Sequence, residues 1–241
     1  MFSSRLIWNT STNRITRSIN ALKQSGVEIV DLTGTNPTAA GFDYDAAAIC
    51  SAISAPAILE YHPNPRGMIP ARQAVVDYYR HHGKAVDLET VFLTSSTSES
   101  YACIFKLLCD PGDTVLAPRP SYPLFDFLAG LESVRLESYR LRYRPDSGWR
   151  IDLEQIKSLT TSRTRAIILV NPNNPTGSYV RPRERDPLTR WCRDHDLALI
   201  VDEVFLDFAS GQSRLSSLSA YPKKEKTWIY RIYFLEEKRG E

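Results

Sequence analysis

The feature that most constrains the fold is a pair of apolar runs in the second half of the chain. These are RAIILV (165–170) and LALIVDEVF (197–205), and neither alternates regularly between apolar and polar residues. A nearly continuous apolar run indicates a strand covered on both faces, as in a parallel sheet. The segment between them, 183–196, predicts the crossover helix that such a pair requires. The sequence therefore predicts an α/β fold with three layers, α/β/α, around a mostly parallel sheet.

Helical and strand patterns also alternate through the preceding hundred residues, from Pro70 onward. Proline suits the first turn of a helix, and glycine commonly follows its end, as at Gly83. Predicted helices cover 71–82, 98–110, 123–130 and a segment from the cap Asp152 to residue 160, and predicted strands cover 91–94, 114–118 and 134–141. Open α/β sheets bind ligands at the carboxyl ends of their strands, so we expect the chemistry in the loops that follow them.

Composition and motifs argue against several classes of function. The 30 basic and 28 acidic residues give a net charge of +2, which favours neither a nucleic-acid partner nor a membrane surface. No apolar run approaches the ~20 residues that span a bilayer. Neither G-x-G-x-x-G nor a Walker A loop is present. The cysteines and histidines lack metal-ligand spacing, so we expect no metal site and a reduced, cytoplasmic protein.

The first two loops offer groups for an anion and for a flat ring. Ser95, Ser96 and Thr97 follow the predicted strand 91–94 and open a helix. Hydroxyls and unpaired N–H groups at a helix start can bind a phosphate, although an ordinary helix cap has the same residues. Tyr122 lies between Ser121 and Pro123, where it can stack on a ring or serve in packing.

The last two loops offer an amide and a carboxylate. Asn174 lies within NPNNPTG (171–177) and can bond a ring oxygen or its own turn. Asp202 ends a buried strand and needs a partner, since a lone buried charge is costly. A protonated ring nitrogen would suit it, as would a backbone or arginine partner. Taken together, the four loops predict a flat, anionic, nitrogen-containing cofactor, pyridoxal 5′-phosphate.

These motifs resemble those of the class I/II aminotransferases, which are fold-type I pyridoxal-phosphate enzymes. The resemblance covers about residues 5–222 and rests on NPNNPTG followed by VDEVF, with support from 31–42 and 61–67. It implies transfer of an amino group between an amino acid and a 2-oxo acid. A lyase or a decarboxylase of the same fold would use the same cofactor residues.

The resemblance implies a role for each residue that matches the family's cofactor motifs. Ser95, Ser96 and Thr97 would hold the phosphate, and Tyr122 would stack on the pyridine ring. Asn174 would bond the phenolic oxygen of the cofactor, and Asp202 would pair with its ring nitrogen.

Three further positions come from the resemblance alone. Tyr61 matches a tyrosine that reaches the phosphate of the neighbouring subunit, which implies a homodimer, and Gly34 lies where the backbone faces substrate. Phe205 stands three residues after Asp202, where many members have a tyrosine whose hydroxyl also contacts the ring oxygen.

The Schiff-base lysine of the family has no clear match. Ser217-Leu218-Ser219 resembles its setting, but Ala220 follows. Lys238 is the remaining candidate, 36 residues after Asp202 in the charged context LEEKRGE. We therefore expect a truncated or frameshifted, impaired aminotransferase. The alternative is a non-catalytic cofactor-binding remnant or a dimerisation partner of a full-length homologue.

The same comparison with the family predicts three segments. They are an N-terminal arm with part of the small domain at 1–45, an incomplete cofactor-binding domain at 46–222 and an atypical charged tail at 223–241. Only 228–230 and 232–235 of that tail could pair as a strand. We therefore expect the apolar runs around 165–205 to lie at an exposed, incomplete sheet edge.

Overall fold

The computed structural model describes residues 3–6, 11–32, 34, 36–208 and 229–232, divided between two compact units. The smaller unit is Trp8–Asn64, and the larger unit combines Met1–Ile7 with Pro65–Glu241. The smaller unit contains α1 (Arg14–Gln24) and α2 (Ala46–Ile53). No helix in the described ranges is both long and apolar enough to cross a membrane.

The larger unit contains the sheet and the helices that cover it. Its described helices are α3 (Ile69–His81), α4 (Thr97–Leu108), α5 (Phe125–Leu131), α6 (Leu153–Leu159) and α7 (Pro182–Asp194). Its described strands are β1 (Thr114–Arg119), β2 (Arg135–Arg144), β3 (Gly148–Ile151), β4 (Thr164–Val170), β5 (Ala198–Asp202) and β6 (Ile229–Ile232).

The sheet has the order β3-β2-β1-β4-β5-β6. All neighbouring pairs are parallel except β2 and β3, which form an antiparallel hairpin. The predicted α/β fold with a mostly parallel sheet is confirmed. Because the chain passes from β1 to β2 on one side and later adds β4 on the other, the strand order reverses between β1 and β4. This switch point is where open α/β sheets form their ligand crevice.

Helices cover both faces of the sheet, which explains the continuous apolar runs. Along β4, Ala166, Ile168 and Val170 belong to one buried cluster, whereas Ile167 and Leu169 belong to another. The first cluster contains side chains of α4 and α5, and the second contains side chains of α6 and α7. Successive residues of a strand point to opposite faces, so every position of β4 can bury an apolar side chain.

The prediction that the apolar runs around 165–205 lie at an exposed sheet edge is wrong for the described residues. β4 is an interior strand, and β5 pairs with β6 from Leu199 opposite Ile229 to Asp202 opposite Ile232. Part of the predicted strand in the tail therefore forms, and it covers β5. Ile232 is buried in the same cluster as Ile168. Backbone pairing thus removes the open edge that the motif comparison suggested.

The predicted strand at 91–94 is also wrong, because this segment pairs with no strand among the described residues. Val91 is buried and Phe92 is exposed, an alternation that resembles a strand. The N–H of Leu93 instead donates to the carbonyl of Arg66 at 2.9 Å. Gly67 lies against Leu93 so closely that an added Cβ would lie 2.7 Å from the Leu93 Cβ. The loop that contains Arg66 and Gly67 therefore holds the segment 91–94 in place.

Candidate functional site

Three strand ends meet at the carboxyl edge of the sheet. β1 leads to Ser121 and Tyr122, β4 leads to the segment 171–177, and β5 ends at Asp202. The N–H of Asn171 donates to the Asp202 carbonyl at 2.8 Å, so the ends of β4 and β5 lie side by side. The structure therefore brings the predicted Tyr122, Asn174 and Asp202 segments to the sheet's switch point.

Asp202 is buried, with 6% of its surface exposed. Its Oδ1 accepts the Val204 N–H at 3.0 Å, and its Oδ2 accepts the Tyr101 hydroxyl at 2.9 Å. No lysine, arginine or histidine whose side chain the structure describes forms an ion pair with this carboxylate. Burial raises the pKa of Asp202, and the two hydrogen bonds oppose that rise. The site therefore contains a buried carboxylate with neutral partners, which suits a cationic group of a ligand.

Tyr101 is a site residue that the sequence analysis missed. It lies on α4 and is 1% exposed, and its ring contacts Phe125 with ring centroids 5.1 Å apart. Burial and the nearby Asp202 charge raise the pKa of its hydroxyl well above the usual value, so it remains a donor. The sequence showed Tyr101 only as part of an apolar helix face. Its contact with Asp202, 101 residues away, carries no local sequence signal.

Tyr122 borders the same aromatic cluster. It is partly buried, and its ring meets Phe125 edge-on with centroids 5.6 Å apart and an interplanar angle of 82°. The following helix, α5, therefore restrains Tyr122 from one side. Of the two predicted alternatives, packing is present, and a stacking role on a ring remains a proposal.

Two asparagines in the loop after β4 have different surroundings. Asn173 is buried, and its side-chain amide donates to the Pro120 carbonyl at 3.2 Å and to the Thr176 hydroxyl at 2.9 Å. Asn174 is half-buried, and its side chain makes no hydrogen bond to any residue that the structure describes. The turn is thus stabilised by Asn173, which leaves the amide of Asn174 available to a ligand.

Phe205 lies beside Asn174. Both line an open cleft of about 340 Å³, together with Tyr179 and Phe208. The ring of Phe205 is 38% exposed and lies 6.0 Å from the ring of Phe208. A cleft with apolar walls and a single unbonded amide can accept one edge of a flat ligand.

The turn before α4 contains the predicted phosphate-binding residues. Ser96 is the N-cap, and its hydroxyl accepts the Glu99 N–H at 3.2 Å. The Glu99 carboxylate accepts both the Ser95 N–H at 2.6 Å and the Ser95 hydroxyl at 2.7 Å. The backbone bond, and then the hydroxyl bond, lower the pKa of Glu99. The helix start thus already attracts an anion, and Glu99 competes with any phosphate there. Thr97 begins the helix beside these donors.

The remaining predicted residues lie elsewhere. Tyr61 and Gly34 belong to the smaller unit, where Tyr61 is 87% exposed and an added Cβ at Gly34 would meet nothing within 4 Å. Lys238 and the segment 217–220 lie outside the described residues. No group of three or more histidine, cysteine, aspartate or glutamate side chains in the described ranges could hold a metal.

The described part of the edge fits pyridoxal phosphate. A buried carboxylate without a cationic partner suits a protonated ring nitrogen, and an unbonded amide suits a ring oxygen. The start of α4 suits a phosphate once the Glu99 side chain, which is exposed, has moved aside.

Comparisons with known proteins agree on one family. The family model described as aminotransferase class I and II matches residues 34–233. The glutamate-pyruvate aminotransferase AlaA of Escherichia coli K12 is 28% identical over 192 residues, which cover 79% of this chain and 47% of that protein. An alanine aminotransferase of Mycobacterium tuberculosis is 30% identical over 188 residues, which cover 76% of this chain and 43% of that protein. The chain thus spans about half the length of the curated relatives it matches.

Solved structures show the same likeness. An alanine aminotransferase from Pyrococcus furiosus aligns with a TM-score of 0.70 at 27% identity, covering 85% of this chain and 52% of that one. The N-succinyldiaminopimelate aminotransferase of Mycobacterium tuberculosis aligns with a TM-score of 0.78 at 25% identity, covering 97% of this chain and 59% of that one.

Proposed function

Because this chain belongs to the class I and II aminotransferase family, we propose that it binds pyridoxal 5′-phosphate at the carboxyl edge of its sheet. The family depends on this cofactor. We further propose that the site is that of an aminotransferase, which transfers an amino group between an amino acid and a 2-oxo acid, and that this chain by itself is impaired in that reaction. The relatives named glutamate-pyruvate and alanine aminotransferases make glutamate, alanine and pyruvate the first substrates to test.

The observation that carries the proposal is the state of Asp202. Its two oxygens accept hydrogen bonds from neutral donors at 2.9 and 3.0 Å, and no described cation pairs with it. A buried carboxylate of this kind costs free energy unless a positive group joins it. The protonated nitrogen of a pyridine ring supplies that charge and the directional N–H that a carboxylate accepts.

Each proposed cofactor residue has a distinct part in this arrangement. Asp202 keeps the proton on the ring nitrogen, Asn174 donates to the phenolic oxygen, and Tyr122 restrains the ring plane. Ser95, Ser96 and Thr97 bind the phosphate. The bound cofactor supplies an electron-withdrawing ring that stabilises negative charge on the substrate carbon.

We propose a homodimer in which Tyr61 reaches the phosphate in the neighbouring subunit and Gly34 faces substrate. In support, the smaller unit exposes many large apolar side chains, a pattern typical of surfaces that another chain covers. Among these side chains, Val30, Leu32, Leu59 and Tyr61 are at least 78% exposed. We place the protein in the cytoplasm.

A second candidate function is cofactor binding without transamination. It is favoured by the described lysines of the larger unit. Lys106 pairs with Glu132, Lys157 pairs with Glu154, and Lys84 lies 6.0 Å from the ring centroid of Tyr79. None of these contacts involves Tyr122, Asn174 or Asp202. Under this alternative the chain binds the cofactor and does not form its covalent bond.

Calorimetric titration with pyridoxamine phosphate tests the proposed site. This form of the cofactor has no aldehyde, so surface lysines do not react with it. We expect saturable binding at one site per chain, and binding of pyridoxamine at least about tenfold weaker, because the phosphate makes charge-assisted hydrogen bonds.

Two serine variants provide the matched comparison for that titration. Ser95→Ala should reduce the difference in affinity between pyridoxamine phosphate and pyridoxamine. Ser158→Ala, which removes a hydroxyl bonded within α6, should not. Equal affinity of the wild-type chain for both ligands, or no binding of either, would refute the proposed site.

Replacing Glu99 by glutamine is expected to raise the affinity for pyridoxamine phosphate roughly two- to fivefold. The wild-type carboxylate takes both donors of Ser95 and repels a phosphate, and the amide removes that charge. Titration of both chains under one buffer condition measures the change. Glu154→Gln, a neutralised glutamate in the first turn of α6, is the control and should have no effect. Weaker binding by Glu99→Gln would mean that Glu99 organises the turn instead of competing with the phosphate for the Ser95 donors.

A further inference from the structure

The Tyr101 hydroxyl is a buried polar group to which the proposed function assigns no part. Its ring is fixed by two aromatic neighbours, Phe125 at 5.1 Å and Phe105 at 5.9 Å between centroids. These contacts use the ring and do not need the oxygen, so phenylalanine would fill the same space. The hydrogen bond that the structure gives this oxygen goes to Asp202 Oδ2.

The two donors to Asp202 come from different elements. Tyr101 extends from α4, whereas the Val204 N–H belongs to the turn after β5. One donor on each oxygen fixes the plane of the carboxylate and leaves each oxygen further lone pairs. Both donors also favour the charged form of the carboxyl against the effect of burial.

We propose that Tyr101 is a positioning residue that keeps Asp202 charged and correctly oriented for the ring nitrogen of the cofactor. This inference rests on the proposed function. Tyr101 acts through Asp202 and does not itself contact the cofactor. It also links the two ends of the site, because α4 contributes the phosphate-binding turn at its start and this hydroxyl in its second turn.

The test compares two ligands that differ in one ring atom. Pyridoxamine phosphate has a ring nitrogen, and its 1-deaza analogue has carbon at that position and cannot donate to Asp202. We expect Tyr101→Phe to weaken binding of pyridoxamine phosphate about tenfold, since it removes a hydrogen bond to a charged group. Binding of the 1-deaza analogue should stay within about twofold, so the ratio of the two affinities falls.

Tyr139→Phe is the matched control. Tyr139 is equally buried, but its hydroxyl donates to the Ile168 carbonyl at 2.8 Å and its ring belongs to the cluster that contains α6 and α7. It should lower thermal stability without changing the affinity ratio. If Tyr101→Phe does not fold by circular dichroism, Tyr101→Met carries the same expectation, because methionine adapts to irregular apolar space.

The outcomes separate this inference from the proposed function. A wild-type chain that binds neither ligand overturns the cofactor site and the role of Tyr101 with it. A wild-type chain that binds both ligands equally overturns the contact between Asp202 and the ring nitrogen, and with it the role of Tyr101. A wild-type chain that prefers pyridoxamine phosphate, with the same preference in Tyr101→Phe, overturns the role of Tyr101 alone. A loss of affinity for both ligands to the same extent also overturns it, since that result indicates a packing effect.

Discussion

Replacing Asp202 by asparagine is expected to lower the affinity of the chain for pyridoxamine phosphate at least about 100-fold. Asparagine can still accept one of the two hydrogen bonds from Tyr101 and Val204, but it has no charge to hold the ring proton. Removing one partner of a buried ion pair leaves the other partner uncompensated, which is the costliest change available at this site. Calorimetric titration of the wild-type and variant chains measures the loss.

The same substitution should stabilise the chain without cofactor. Burial raises the pKa of Asp202 in the folded state, so the folded chain binds the proton more tightly than the unfolded chain. Stability from this group is therefore highest below the unfolded pKa of about 4 and falls as pH rises through the folded pKa. Asparagine does not titrate, so the melting temperature of Asp202→Asn should rise relative to wild type across that window and stay higher above it.

Asp113→Asn is the control for both effects. Asp113 is also buried, but it accepts a hydrogen bond from Arg165 at 2.7 Å and lies before β1, at the amino end of the strand. The hydrogen bond from the Arg165 side chain lowers the pKa of Asp113. Loss of the Asp113 carboxylate should therefore destabilise the fold at neutral pH and leave cofactor affinity unchanged. Similar cofactor losses in both variants would indicate general damage and contradict a specific role for Asp202.

Borohydride reduction of the chain mixed with pyridoxal phosphate is expected to leave no single lysine stoichiometrically labelled. The described lysines of the larger unit make their contacts away from the strand ends, and a Schiff base requires an amine within covalent reach of the cofactor. Peptide mass spectrometry locates any adduct. With glutamate or alanine as amino donor, the same preparation should form no measurable 2-oxo acid.

One result would contradict this prediction and establish a working enzyme. It is a stoichiometric adduct on Lys238 that disappears both in Lys238→Arg and in Asp202→Asn. Scattered labels that persist in Asp202→Asn would instead reflect surface reactivity. The titration with pyridoxamine phosphate does not depend on a lysine, so binding and covalent chemistry are tested separately.

Much of the site could be predicted from sequence because its parts follow local rules. The strands end where apolar runs meet proline, glycine and polar residues, and parallel strands bring such ends to one edge. Asn174 and Asp202 were placed at the correct strand ends for that reason. The roles of Asn173 and Asn174 in NPNNPTG could not be separated from sequence, since each lies next to a proline and the burial of Asn173 depends on the fold.

The α/β class, the parallel sheet and the strand ends that carry chemistry follow from the amino-acid sequence alone, because periodicity and turn residues act over a few neighbouring positions. The three-dimensional structure was needed to show that residues 91–94 are held by Gly67 and Arg66, that β6 covers β5, and that Glu99 occupies the Ser95 donors. It was also needed to show that the Tyr101 hydroxyl contacts Asp202. That contact depends on how α4 is rotated and seated on the sheet, and long-range packing of whole faces sets this geometry.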